Sequence, residues 1–236
     1  MSKSSFLSSE GMRTLLILGR VSNLPTVWSN CLAAWILSQP HAAAWPLLPL
    51  LGMGCTFFYL GGMYFNDAFD VAFDTIHRPE RPIPSSRISR RTVALLGCAW
   101  FVAGLLLLVP ASGGWAWVLA GLILFYDAVH KKAPWLGLPA MAGCRALIYP
   151  LVGVAAAAGA LPGMLWVAAS GMALWVLVLS ILARGESRAG AAVPNLLAAI
   201  PLLDLLFVAP QSILGILPFF GFTALAVLLR KSIPPT

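Results

Sequence analysis

Three carboxylates and a carboxamide crowd the end of a long apolar run. Asn66, Asp67, Asp70 and Asp74 follow residues 45–65, which are almost wholly apolar. A helix turns about 100° per residue, so spacings of three and four put Asp67, Asp70 and Asp74 on one narrow face, with Asn66 a turn before Asp70. Like charges so placed repel one another, and more strongly where the dielectric falls. Such a face at the mouth of an apolar helix calls for a cation. Oxygen ligands of this hardness suit Mg²⁺, which takes one or two carboxylates and completes its shell with water and substrate phosphate. The run Arg78-Pro79-Glu80-Arg81-Pro82-Ile83-Pro84 follows. Its guanidinium groups, Arg78 and Arg81, would supply the phosphate-binding half of a site. The alternative for the whole stretch is a solvated acidic helix end beside a basic loop.

The pattern Asn-Asp-x-x-Asp-x-x-x-Asp, followed by Arg-Pro-x-Arg-Pro-Ile-Pro-Ser, resembles the first aspartate motif of the UbiA superfamily of intramembrane prenyltransferases. The resemblance implies an all-α transmembrane bundle around an apolar cavity open to the cytoplasmic side. It implies that Asn66, Asp70 and Asp74, helped by Asp67, hold Mg²⁺ on a prenyl diphosphate, and that the prenyl group passes to an aromatic or other lipophilic acceptor. Pro79, Pro82 and Pro84 stiffen the following loop, which suits a lid over the diphosphate. His77 either hydrogen-bonds the leaving group or is simply solvated. Phe57, Phe58, Tyr59 and Tyr64 are candidate walls for an allylic cation, by cation–π contact, or else packing residues.

Similar proteins also carry a tyrosine followed one turn later by a lysine that contacts the diphosphate. Tyr126 and Lys131 are the matches here, with His130 in the intervening slot, so either His130 or Lys131 faces the site. A positive anchor at the membrane surface is the competing role for Lys131 and Lys132. The superfamily's second aspartate motif is degenerate. Aligned on Ala189-Gly190 and Pro194, Glu186 takes the second acidic position as a metal ligand, and Leu182 stands where the first acid belongs. Arg184 and Arg188 are candidates to replace the missing metal charge. The chain is short for the superfamily and resembles its compact EboC-like branch. The lost acid leaves a rival reading open, a non-catalytic protein that binds or transports prenyl lipids on the same fold. A phosphatidyl-transfer enzyme is a weaker alternative, because Asp67 is followed by Ala68 and not by glycine.

The elements that position these residues follow from composition. The chain of 236 residues is 60% hydrophobic and 10% charged, with mean hydropathy +0.88. That balance belongs to one integral membrane domain spanning residues 1–236. Hydropathy marks about eight spans, near 21–39, 45–66, 92–110, 114–129, 138–158, 162–183, 192–209 and 212–230. Residues 1–20 form a lead-in without the features of a secretory signal. Arg and Lys gather before the first span and after the second, fourth, sixth and eighth. The alternate connections hold no Lys, Arg, Asp or Glu. The positive-inside rule then places both termini and every charged loop in the cytoplasm of a multi-pass protein of the inner membrane. The net charge of +7 reflects this asymmetry and contact with anionic membrane lipids. Nucleic acid is excluded as a partner, because the basic residues are scattered over separate loop ends with no aromatic platform.

Other polar residues within spans are candidates by position. Asn23 and Asn30, seven apart, share a face of the first span. Asn23 is a substrate contact or one half of a helix–helix hydrogen bond, and the resemblance favours the former. Arg145 needs a partner, either Asp127 or a substrate phosphate. Asp204 is either functional or paired with Arg145 for structure. The four cysteines lie singly within spans, without metal-binding spacing, and read as small packing residues.

Overall fold

Hydrocarbon offers no partner to a backbone N–H or C=O, so a chain this apolar must satisfy them within each segment. The computed structural model describes residues 8–40, 44–157, 160–184, 188–210 and 215–233, with backbone alone at 188–191, and no strand occurs among them. In order the helices are α1 (Ser9–Leu18), α2 (Leu24–Leu37), α3 (Leu47–Phe69), α4 (Val71–His77), α5 (Arg90–Ser112), α6 (Gly114–Val129), α7 (Pro134–Ala146), α8 (Ile148–Ala156), α9 (Gly163–Leu182), α10 (Arg188–Ala198), α11 (Ile200–Val208) and α12 (Leu217–Ser232). A 3₁₀ turn, Val21–Asn23, joins α1 to α2.

Each expected span has a helical counterpart. Helices α3, α5, the α7–α8 pair and α9 are long and apolar enough to cross a bilayer, while α6 and residues 192–208 are shorter. Two expected spans are broken. The break between α7 and α8 falls at Leu147, just before Pro150, and that between α10 and α11 at Ala199, just before Pro201. A proline lacks the N–H for its i−4 partner and its ring crowds that carbonyl, which explains both positions.

The helices close into a ring, in which α3 packs on α5, α5 on α6, α6 on α7, α7 on α9, α9 on α10, α11 on α12, α12 on α2, and α2 back on α3. Helix α8 touches α2, α3, α5, α6, α7 and α9 from within, and its Tyr149, Leu151 and Val152 are fully buried. The outer surface is apolar instead of polar: Leu106 of α5 and Leu206 of α11 are each 70% exposed. An exterior of that kind faces lipid.

Small residues set how closely α3 and α5 approach. Phe58 of α3 fills the space over Gly104 of α5, and Phe101 of α5 fills that over Gly61 of α3. A Cβ on Gly61 would lie 2.3 Å from the Phe101 ring. This reciprocal fit locks the helix that carries the acids. The lead-in is the short helix α1, begun by Ser8, whose side chain accepts from the Gly11 N–H. Leu18 packs with Tyr64, Ala68, Ile88 and Val93, and the Tyr64 hydroxyl donates to the Leu15 carbonyl at 3.1 Å.

Candidate active site

The acidic face survives in the fold, divided between two helices. Helix α3 ends at Phe69 and the chain turns at Asp70 (φ −80°, ψ 0°) into α4. The Asp70 N–H still donates to the Asn66 carbonyl at 2.9 Å, and the Asp74 N–H to the Asp70 carbonyl at 2.8 Å. The expected single straight helix face is therefore two helices meeting at the central aspartate. Asn66, Asp67, Asp70 and Asp74 are all buried, Asp74 to 1% exposure, which overturns the alternative of a solvated helix end.

Burying four such side chains requires compensating charge. Arg81 Nη1 lies 2.7 Å from Asp74 Oδ2 and 3.5 Å from Asp67 Oδ1. Arg20 Nη2 lies 3.1 Å from Asp67 Oδ1 and 3.3 Å from Asn66 Oδ1. Asp70 Oδ2 meets His130 Nε2 at 3.2 Å and Lys131 Nζ at 3.5 Å. Burial pushes the Asp70 carboxyl up, but the His130 hydrogen bond and the nearby Lys131 ammonium outweigh it and hold the group below its ordinary range.

Several elements deliver these groups. The Arg78–Arg81 loop folds back so that Arg81 is buried, while Arg78 stays exposed. Arg90, opening α5, donates from Nε to the Ala68 carbonyl at 2.8 Å and so meets the negative end of α3. The end of α6 brings Tyr126, Asp127, His130 and Lys131. The Tyr126 and His130 rings stack at 4.8 Å, and Lys131 also sits 4.1 Å from the Phe73 ring centroid. Both His130 and Lys131 reach Asp70.

Behind the acids lies a cavity of about 340 Å³. Its polar lining includes Arg20, Asn23, Tyr126, Asp127 and Arg145, and Val27, Phe58, Tyr59, Leu119, Ile123 and Ile148 are among its walls. Asn23 and Arg145 both line this cavity. Phe57 and Tyr64 are not wall residues: Phe57 stacks on Trp100 at 5.2 Å, and Tyr64 ties α3 to α1. His77 is exposed and stacks on Phe73. Arg184 donates to the Pro134 carbonyl at 3.1 Å on the exposed surface. Glu186 and the Arg188 side chain lie outside the described residues. Of the two alternatives for Asp204, direct pairing with Arg145 is not what the structure holds: no salt bridge joins them among the described residues, and Asn30 stands between. Asp127 pairs with Asn66, whose Nδ2 donates to Asp127 Oδ1 at 3.3 Å, and not with Arg145.

Two residues complete the site that sequence reasoning did not select. Arg20 takes a left-handed backbone conformation (φ 43°, ψ 48°) between α1 and the 3₁₀ turn, a strained choice for a non-glycine residue. Its position just before the first span was the only signal. Asp127 follows Tyr126 directly and stands four residues before Lys131.

The donor set fits a hard cation in chemistry. Asp74 Oδ1 and Asp127 Oδ2 are buried oxygens with no hydrogen-bond partner, as are the Arg20 and Arg81 Nε atoms. No three His, Cys, Asp or Glu side chains converge on one point among the described residues, however. The arrangement suits Mg²⁺ held by one or two carboxylates with phosphate and water completing the shell, and not an all-protein cage.

The model of the UbiA prenyltransferase family matches residues 25–233. A digeranylgeranylglyceryl phosphate synthase of Methanoregula boonei is 39% identical over 111 residues, which is 46% of this chain and 40% of that protein. One from Ignicoccus hospitalis is 31% identical over 136 residues, 56% of this chain and 43% of that protein. A 2-acylphloroglucinol 4-prenyltransferase of Humulus lupulus is 33% identical over 96 residues, 37% and 22% of the two chains. The matches thus span less than half the length of these relatives. Among solved structures, one from work on digeranylgeranylglyceryl phosphate synthase in membranes superposes with TM-score 0.60 at 16% identity, over 95% of this chain and 96% of that one. A UbiA homolog from Archaeoglobus fulgidus bound to GPP and Mg²⁺ gives TM-score 0.58 at 14% identity, over 93% and 87%. At such identities these likenesses establish the fold.

Proposed function

We propose that this chain, which belongs to the UbiA prenyltransferase family, ionises a prenyl diphosphate at its acid–base face and transfers the prenyl group to a lipophilic or aromatic acceptor in the adjoining cavity. The observation that carries the reading is the junction itself. Buried carboxylates, each matched by a base, stand directly beside an apolar cavity with a polar end. Such a site separates a polyanionic head from a hydrocarbon tail. Relatives named for prenyl transfer and a structural neighbour bound to GPP and Mg²⁺ support the same chemistry.

In the reaction, the bond between prenyl C1 and the diphosphate oxygen breaks, and its electron pair leaves on pyrophosphate. C1 then bonds to a nucleophilic atom of the acceptor, whose proton passes to the released pyrophosphate. Asn66, Asp70 and Asp74, with Asp67 beside them and Glu186 as a further candidate ligand, would hold Mg²⁺, which supplies positive charge to the departing pyrophosphate. Arg81 and Lys131 bind diphosphate oxygens once the ligand draws them from their carboxylates, Tyr126 donates its hydroxyl, and Arg78 closes from the loop. Phe58 and Tyr59 present aromatic faces to the allylic cation and exclude water. Asn23 and Arg145 meet the rest of the substrate across the cavity. The protein acts as a multi-pass domain of the inner membrane, with both termini and the cavity mouth on the cytoplasmic side.

The test is pyrophosphate release from a panel of prenyl diphosphates by the purified protein in lipid, with and without Mg²⁺, beside Asp70→Ala. Metal-dependent release that disappears in the variant is expected. Mg²⁺-dependent binding without release would favour a prenyl-lipid-binding protein, and no binding by any donor would end both readings.

A further inference from the structure

Deep in the bundle, away from the acidic face, a second polar cluster joins three helices. Asp204 of α11 is fully buried. It accepts hydrogen bonds from the Ser29 hydroxyl and from Asn30 Nδ2 on α2, the latter at 2.9 Å, and from the Tyr149 hydroxyl on α8. No cation pairs with it among the described residues. Arg145, near the end of α7, donates from Nη1 to Asn30 Oδ1 at 3.0 Å. Its guanidinium also lies 5.8 Å from the Tyr59 ring centroid, and the residue lines the cavity. It too has no salt bridge among the described residues.

A carboxamide has one donor end and one acceptor end. Because the Asp204 carboxylate takes the Nδ2 end of Asn30, the Oδ1 end must face the other way, toward Arg145. Were the amide reversed, it would put an oxygen against a carboxylate and an N–H against a guanidinium, two repulsions inside a low-dielectric core. The Asp204 oxygen that accepts from Nδ2 therefore fixes the amide, and the amide fixes the guanidinium. Ser29 and Tyr149 also donate to the carboxyl, on Oδ2 and Oδ1 respectively, so three donors from two helices fix its orientation.

We propose that Asp204 is a positioning residue for Arg145, acting through Asn30 to hold an unpaired guanidinium at the cavity wall, where it meets the polar part of the substrate. The role of Arg145 rests on the function proposed above, while the relay rests on geometry alone, and the experiment separates them. Full-length protein in lipid nanodiscs, with arginine labelled by ¹⁵N in the guanidinium, gives side-chain signals, and that of Arg145 is identified by its loss in Arg145→Ala. In Asp204→Asn the Arg145 signal is expected to shift and broaden while that of Arg81 stays in place. Asn30→Leu should do the same and serves if Asp204→Asn does not fold. An unmoved Arg145 signal in both Asp204→Asn and Asn30→Leu would overturn the proposal.

A second arm reads turnover. Asp204→Asn should lower kcat/KM for prenyl transfer about tenfold, as loss of one charge-assisted hydrogen bond implies. In an Arg145→Ala background the same change should cost less than about twofold, because the two residues act as one unit. Costs that multiply would show that Asp204 acts independently of Arg145. Wild-type protein with no transfer activity would sink the enzymatic reading while the spectra still decide the relay.

Discussion

The Arg81 guanidinium donates to Asp74 across 2.7 Å with the two side chains 6% and 2% exposed. A pair this dry is held by mutual attraction that neither partner can replace with water. Removing one partner strands the other, at a loss of about 3–5 kcal/mol. Arg81→Ala is therefore expected to lower the thermal unfolding midpoint in detergent markedly. Arg81→Lys keeps the charge but lacks the planar fork and should recover only part of the loss. Added Mg²⁺ should raise the midpoint of Arg81→Ala more than that of the wild type, because Asp74 is then left without its base and Asp67 keeps only Arg20. Equal midpoints for Arg81→Ala and wild type would contradict this account.

His130 and Lys131 both reach Asp70, yet they differ in exposure, at 9% and 39% of the side chain. Water screens the lysine, and exposed pairs contribute about 0.2–1 kcal/mol. Lys131→Ala is therefore expected to raise the donor KM by no more than about fivefold. The His130 hydrogen bond is nearly dry and made to a carboxylate, for which about 1.5–3 kcal/mol is usual. His130→Ala should change donor KM and Mg²⁺ dependence by about tenfold or more. A larger effect from Lys131 would make the lysine the main contact on the diphosphate and reverse this ranking.

Local spacing made the acidic motif legible: Asp67, Asp70 and Asp74 had to share a helical side, and Arg81 had to lie near them after a proline-stiffened turn. The apolar segments were legible for the same reason, since each must satisfy its own backbone. What escaped was whatever depends on contacts between distant segments. Arg20 reaches Asp67 across 47 positions, and Asn30 meets Asp204 across 174. Nothing in the neighbourhood of Asn30 says which way its amide points, because the carboxylate that orients it arrives on another helix. The helix boundary at Asp70 was equally invisible, as no proline or glycine marks it.

Close helix approach gives a prediction of its own. Adding one methyl at Gly61 would force the Phe101 ring to move, since the new Cβ would lie 2.3 Å from it. Overpacking of this kind costs about 1–3 kcal/mol. Gly61→Ala should lower the unfolding midpoint and reduce donor binding, because α3 carries Asn66, Asp67 and the turn at Asp70. The second-site change Phe101→Leu should return most of both losses. Failure of that rescue would mean the defect lies elsewhere than in the contact between α3 and α5.

Arg78 tests the loop as a lid. Its side chain is exposed and makes no hydrogen bond or ion pair among the described residues, although its backbone N–H donates to the Asp74 carbonyl at 2.8 Å. Truncating a solvated side chain away from such contacts changes stability by no more than about 0.5 kcal/mol. Arg78→Ala should then unfold at the wild-type temperature when no ligand is present. If the loop closes over the diphosphate, the same variant loses a charge-assisted contact that exists only in the complex. Its donor KM should rise about tenfold, and the stabilisation that prenyl diphosphate with Mg²⁺ gives the wild type should shrink by a comparable factor in affinity. Arg81→Ala differs in kind, because it weakens the protein before any ligand arrives. An Arg78→Ala protein with wild-type donor KM would leave Arg81 as the loop's sole contact and remove Arg78 from the site.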